Sequence, residues 1–286
     1  MNVRLVEMGP RDGLQNEARP VPTPVKIAFI DALSQSGLRE IEASAFVSAR
    51  AIPQLTDAEG VFAGIARRPG VVYSALVPND KGLERALRAR VDKVAVFTAA
   101  SETFNQHNIH ASIAESLLRF EPVIAGARAA RLPVRGYVST AFWCPYEGRI
   151  DAGKAAEVIL KLASLGVDEI SVGDTIGKAV PAEVEDLLGR LLPHLPPPRI
   201  AMHFHDTYGH AVENVLASRR LGITIFDAST GGIGGCPYAP GASGNVSMEA
   251  VIAALEPLGD RTGVDPAVLA QARRVIEPSL GRTLVP

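Results

Sequence analysis

Residues able to do chemistry gather in a few short stretches of this chain. Ala201-Met202-His203-Phe204-His205-Asp206 sets two histidines two positions apart. On a strand, positions i and i+2 share a face, so both imidazoles point one way and Phe204 the other. Such a pair is part of a metal chelate that oxygen donors would complete; without a metal, each ring needs its own polar partner. The segment EMGPRDGLQNE, Glu7 to Glu17, offers an oxygen in Asp12. Arg11 beside it is a fixed positive charge that can hold a carboxylate or stabilise an oxyanion. Its Gly, Pro, Asp and Gly are also turn formers, and taken alone the segment reads equally as site or as turn.

GGIGGCPYAPGASGN, Gly231 to Asn245, carries six glycines in fifteen residues. Such a run makes neither helix nor packed strand and belongs where the backbone turns sharply or closes over something. Within it lie Cys236, a candidate reactive thiol, and Asn245, a further oxygen donor. Cys144, in FWCPYE, is expected to be an incidental small side chain. Of two acids, Glu42 in IEAS ends an expected strand and Asp174 in SVGDTIG follows one. Asp174 is equally suited to capping the next helix or bracing its loop. His107, His110, His194 and His210 have no usable spacing and are expected at the surface or behind the site.

These stretches need a scaffold. Apolar, β-branched runs predict strands at 3–8, 39–43, 71–76, 91–97, 134–139, 167–172, 199–204 and 223–228. Helical patterns fall between them at 24–36, 54–67, 79–89, 112–130, 152–165, 182–192, 210–220 and 247–256. Strands alternating with helices pair in parallel through right-handed crossovers. Eight such units predict an α/β fold, a closed (β/α)₈ TIM barrel, with a doubly wound open sheet as the alternative. No Gly-x-Gly-x-x-Gly follows the first strand, which speaks against a dinucleotide fold. Barrel active sites sit at the carboxyl ends of the strands. Closure would bring the first strand beside the eighth and the eighth beside the seventh, so Asp12, Asn245 and the two histidines would converge. A helix near 266–276 lies outside the pattern, giving one domain over 1–286 with 259–286 as a C-terminal extension.

Composition excludes several function classes. The 286 residues are 47% hydrophobic and 21% charged, with a net charge of −2, ordinary for a soluble enzyme. No basic field points to nucleic acid, and no apolar run reaches membrane-spanning length. Two cysteines make neither a disulfide framework nor a four-cysteine zinc site. The first residues read as a strand, not a targeting segment, so a cytoplasmic, bacterial-type chain is expected.

With these motifs assembled, the chain resembles the 3-hydroxy-3-methylglutaryl-CoA lyase family over essentially its whole length. GPRDGLQNE, GDTIG, HFHDTYG and GGIGGCPYAPGASGN stand in family order and spacing. The opening motif and the His-x-His pair mark the wider superfamily of metal-dependent barrel lyases and synthases. The Gly-Gly-Cys-Pro-Tyr-Ala loop marks the lyase branch. The resemblance implies that Asp12, His203, His205 and Asn245 ligate Mg²⁺ or Mn²⁺ and that Arg11 stabilises an enolate. Cys236 would be the mobile acid/base, Gln15 would join Arg11 in binding substrate, and Glu42 and Asp174 would match acids important for activity. The implied reaction cleaves the acyl-CoA thioester to acetyl-CoA and acetoacetate, in a homodimer. The chain departs from the family at Phe142-Trp143, a bulky pair expected to reshape the acyl pocket, and at Pro240. It also ends without the cysteine-bearing tail of some members, so redox regulation through that tail is not expected. Alternatives are a lyase for a longer 3-hydroxy-3-alkylglutaryl-CoA such as the isohexenyl derivative, a condensing acyltransferase, and a non-catalytic metal-binding scaffold.

Overall fold

A computed structural model describes residues 1–48, 50–234 and 244–284. All eight expected strands form: β1 Arg4–Glu7, β2 Glu40–Ala45, β3 Val72–Leu76, β4 Lys93–Ala99, β5 Val134–Ser139, β6 Glu169–Asp174, β7 Ile200–Phe204 and β8 Ile225–Ala228. Every pairing in this sheet is parallel; each barrel strand lies beside the next one along the chain, and the sheet closes where Val6 of β1 lies opposite Asp227 of β8. Closure rules out the open-sheet alternative. It also explains why the strands are buried almost end to end: one face packs inside the barrel and the other against helices.

The helices are α1 Thr23–Leu33, α2 Ala58–Gly64, α3 Asp80–Arg88, α4 Glu102–Ile109, α5 Ile113–Ala129, α6 Ala152–Ser164, α7 Pro181–Leu191, α8 Ala211–Arg220, α9 Met248–Leu255 and α10 Pro266–Leu280. Three depart from expectation. The pattern at 54–67 divides into a short turn, Pro53–Leu55, and α2. Between them Asp57 turns its carboxylate to Thr23 (2.6 Å) and Lys26 (2.7 Å) of α1. Helix α4 has no apolar periodicity to announce it; Ser101 caps its start and His110, at φ 51°, ends it. Helix α10 runs on through Pro278 and packs along α1. At that junction Gly37 has φ +91°, and a Cβ there would fall 2.0 Å from the Gly263 carbonyl oxygen. Only glycine fits.

Inside the barrel the contents change with depth. Towards the carboxyl ends lie Met8, Ala45, Leu76 and Tyr137. Nearer the amino ends is a belt of alternating charge that no spacing in the sequence announces. Glu40 pairs with Arg4 (3.1 Å) and Lys93 (2.8 Å), and Glu169 takes Lys93 and the Arg135 Nε, each at 3.1 Å. The other end of the Arg135 guanidinium reaches Asp227 at 2.6 Å. Burying charge is tolerable only when it is paired this fully.

Candidate active site

Directly after β1 the chain makes one wide helical turn, Gly9–Gly13, with Pro10 near its start. The Met8 carbonyl accepts the N–H groups of Arg11 (3.2 Å) and Gly13 (3.1 Å), which turns Arg11 and Asp12 over the barrel mouth. Gly13 lies so close to the chain leaving β8 that a Cβ would stand 2.8 Å from the Ile233 carbonyl oxygen. The opening motif is therefore a turn, and it is the turn that carries Arg11 and Asp12 to the barrel mouth.

Arg11 is 6% exposed. Its Nε donates to Glu42, its Nη1 donates to Asp12 Oδ1 at 2.7 Å, and its guanidinium lies 5.5 Å from the centre of the Tyr137 ring. Burial alone would weaken the charge, but Glu42 and Asp12 outweigh it and hold Arg11 protonated above its ordinary range. For Asp12, burial pushes the carboxyl up and the Arg11 charge and His205 more than reverse it, leaving it well below the usual range. Asp12 is thus kept ionised.

His203 in β7 and His205 just beyond it are both buried, with ring centres 5.2 Å apart, and Phe204 faces outward against Phe142 as expected. Their ligand atoms and that of Asp12 all lie within 4.8 Å of one another. Asn245 joins them: its Nδ2 donates to Asp12 Oδ2 (2.9 Å) and to the Ile233 carbonyl (3.2 Å). Both partners only accept, which settles the orientation of the amide. Its Oδ1 is buried and has no hydrogen-bond partner among the described residues. Two imidazoles, a carboxylate kept ionised and an orphaned amide oxygen fit a divalent cation of mixed nitrogen and oxygen preference.

A cavity of about 230 Å³ opens beside this cluster. Arg11, Asp12, Gln15, His203 and His205 line one side of it, and Val47, Ile52, Leu76, Phe97, Phe104 and Val138 supply apolar wall. Gln15 Oε1 stands 3.5 Å from Arg11 Nη1. Glu42 is fully buried and off the cavity wall, reaching Arg11 and the Tyr137 hydroxyl (3.1 Å). Asp174, the last residue of β6, is also off that wall and braces the following loop by accepting the N–H groups of Lys178 (3.1 Å) and Ala179 (3.0 Å). Burial lifts its carboxyl to about 6 against those donors. Cys236 lies outside the described residues, as does Pro240.

One expectation is corrected. Phe142 and Trp143 do not line this cavity. Phe142 is buried in the layer between barrel and helices, and the Trp143 indole donates to Glu183 (3.0 Å) beneath the Lys178 ammonium. The bulk goes into packing, and the apolar wall comes instead from β3, β4 and α4. Cys144 is buried with its Sγ 3.1 Å from Ser101 Oγ, in keeping with a structural side chain. Three residues of the site went unread in the sequence: Tyr137, Arg135 and Asp227, whose Oδ2 lies 3.2 Å from His203 Nδ1. A lone charge inside an apolar strand, as in VRGYVS and IFDA, was the available signal.

Eight parallel strands closed on themselves, with an imidazole–carboxylate cluster at their carboxyl ends, define a (β/α)₈ barrel with a candidate metal centre at the catalytic face. Among known proteins, the HMGL-like family model matches residues 2–276. Mitochondrial hydroxymethylglutaryl-CoA lyase of Gallus gallus is 52% identical over 92% of this chain and 88% of its own. The cytoplasmic 3-hydroxy-3-methylglutaryl-CoA lyase of Rattus norvegicus is 49% identical over 98% of this chain and 82% of its own. The crystal structure of HMG-CoA lyase from Brucella melitensis superposes with a TM-score of 0.96 at 47% identity, covering 98% of this chain and 99% of that one. An HMG-CoA lyase from Acinetobacter baumannii, solved with coenzyme A and 3-methylmalate, gives 0.93 at 38% identity, covering 99% and 92%. The chain belongs to the HMGL-like family. Among the described residues, no helix is long and apolar enough to cross a membrane.

Proposed function

We propose that this chain is a divalent-metal-dependent carbon–carbon lyase that cleaves 3-hydroxy-3-methylglutaryl-CoA to acetyl-CoA and acetoacetate. The carrying observation is the orphaned Asn245 Oδ1 beside Asp12, His203 and His205, with Arg11 one residue from Asp12, in a family whose relatives bear that activity in their names. Asp12, His203, His205 and Asn245 would hold Mg²⁺ or Mn²⁺. When bound, the cation acidifies the substrate's tertiary hydroxyl and so eases loss of its proton.

The residues divide the remaining work. The hydroxyl proton passes to Cys236 acting first as the mobile base, the C2–C3 bond breaks as the C3 oxygen becomes the ketone of acetoacetate, and the electron pair of that bond passes to the thioester as an enolate. Arg11, held by Glu42 and Tyr137, presents fixed positive charge to that enolate, an interaction stronger in the transition state than in the bound substrate. Asp12 stays ionised, which suits a ligand and not a proton store. Gln15 beside Arg11 helps seat the substrate, and Asp174 keeps the loop after β6 in place. On the strength of its loop motif, Cys236 delivers the proton that turns the enolate carbon into the acetyl methyl group. The apolar wall at Phe97 and Leu76 favours a second reading, a longer 3-alkyl substituent; comparing kcat/KM for the methyl and isohexenyl thioesters separates the two. The metal reading is tested by chelation: activity should disappear with EDTA and return with Mg²⁺ or Mn²⁺. Full activity in rigorously metal-free protein would contradict it.

A further inference from the structure

The buried charge belt ends on the candidate metal centre. Arg135, 1% exposed at its side chain, reaches Glu169 with Nε (3.1 Å) and Asp227 Oδ1 with Nη2 (2.6 Å). The other oxygen, Asp227 Oδ2, accepts the Ser171 hydroxyl (2.8 Å) and faces His203 Nδ1 (3.2 Å). A guanidinium only donates, and an ionised carboxylate only accepts. We propose that Arg135 is a positioning residue: by fixing Asp227 as an acceptor towards His203, it keeps the imidazole proton on Nδ1 and presents Nε2 to the cation. This inference rests on the metal reading above.

The substitution Asp227→Asn makes the consequence specific. In that variant the amide oxygen must face Arg135, since a guanidinium cannot accept. The amide NH₂ then faces Nδ1, which has to accept, and the proton moves to Nε2, where it blocks ligation. An asparagine at the equivalent place of a Ser-His-Asp triad imposes the wrong tautomer in the same way. Adding Arg135→Met removes the donor that held the amide in that orientation. The amide can then rotate and turn its oxygen to the Nδ1–H. Lys93 remains on Glu169 at 3.1 Å, so the second substitution does not leave that carboxylate alone.

The experiment has two readouts on the full chain. ¹⁵N imidazole spectra of metal-free protein at about pH 8, where an ordinary imidazole is neutral, should show His203 as the Nδ1–H tautomer in the wild type and Nε2–H in Asp227→Asn. Mn²⁺ titration followed by electron paramagnetic resonance should show affinity falling by about 10–100-fold in Asp227→Asn, the usual loss for a support behind a ligand. The double variant Arg135→Met/Asp227→Asn should recover most of that loss. Recovery by a second core substitution is not what a merely structural role predicts. An Nε2–H tautomer in the wild type overturns the proposal even if no variant folds, and a double variant binding no better than Asp227→Asn overturns it too. A tautomer that is Nδ1–H in the wild type, Nε2–H in Asp227→Asn and Nδ1–H again in the double variant, with no Mn²⁺ affinity in any of them, would support the role of Arg135 and sink the metal reading instead.

Discussion

Asn245 donates a hydrogen bond to Asp12 Oδ2 at 2.9 Å although 233 positions separate them in the chain. Barrel closure makes that contact: β8 lies beside β1, so the loops leaving both strands share one corner of the mouth. The bond leaves Asn245 Oδ1 as a buried oxygen needing a partner. Asn245→Ala should therefore weaken Mn²⁺ binding by at least ~10–100-fold while the thermal midpoint changes little. Calorimetric titration measures this, and unchanged affinity would remove Asn245 from the ligand set.

Arg11 and Glu42 should separate catalysis from stability. Arg11→Met should cut turnover by ~10²–10³-fold, the range for losing one oxyanion-stabilising donor. It should also destabilise the fold by about 3–5 kcal/mol, because Glu42 is left buried without its partner. Adding Glu42→Gln should restore most of the stability and none of the turnover. Urea melts and steady-state rates on both variants check this; a double variant recovering activity would mean that Arg11 matters only as a counter-ion.

Glu7 predicts a pH effect. Its buried carboxylate accepts the N–H groups of Gly9 (2.7 Å) and Thr230 (3.0 Å), joining the chain after β1 to the chain after β8. Burial raises its pKa from 4.5 to about 7 against those donors and Thr230 Oγ1. The folded state then holds the proton more tightly than the unfolded one. The resulting stability is full below pH 4.5 and is lost as pH rises through about 7. In Glu7→Gln, urea midpoints should vary less with pH across that window. Parallel curves for the two proteins would show that Glu7 does not titrate there.

Cys236→Ser tests the thiol. The side chains are nearly the same size, but a hydroxyl is a far weaker acid than a thiol of pKa ~8.5. Turnover should fall by ~10²–10⁴-fold with KM little changed. Near-normal turnover in the serine variant would reduce Cys236 to filling space.

Much of the fold and the site was legible because it was periodic or local. Eight apolar runs at strand length, separated by helical patterns, specify a barrel, and its closure then brings Asp12, His203, His205 and Asn245 together. Helix α4 was not legible, since SETFNQHN has no apolar face; its cap at Ser101 and its packing hold it in place, and it carries Phe104 to the cavity. Nor were the interior pairings Arg135–Asp227 and Lys93–Glu169, whose partners lie 92 and 76 positions apart. A charge within a strand announces that it needs a partner but not which one. The Phe142-Trp143 expectation failed for a related reason: bulk in the sequence does not say which way a side chain turns.

The central claim is the bond that breaks. Incubating the purified chain with Mg²⁺ and 3-hydroxy-3-methylglutaryl-CoA, and following the products by mass spectrometry, tests it most directly. The account predicts acetyl-CoA and acetoacetate appearing in equal amounts, with one solvent hydrogen in the acetyl methyl group when the reaction runs in deuterated water. A thioester left intact, or hydrolysed to free coenzyme A with its carbon chain whole, would contradict it.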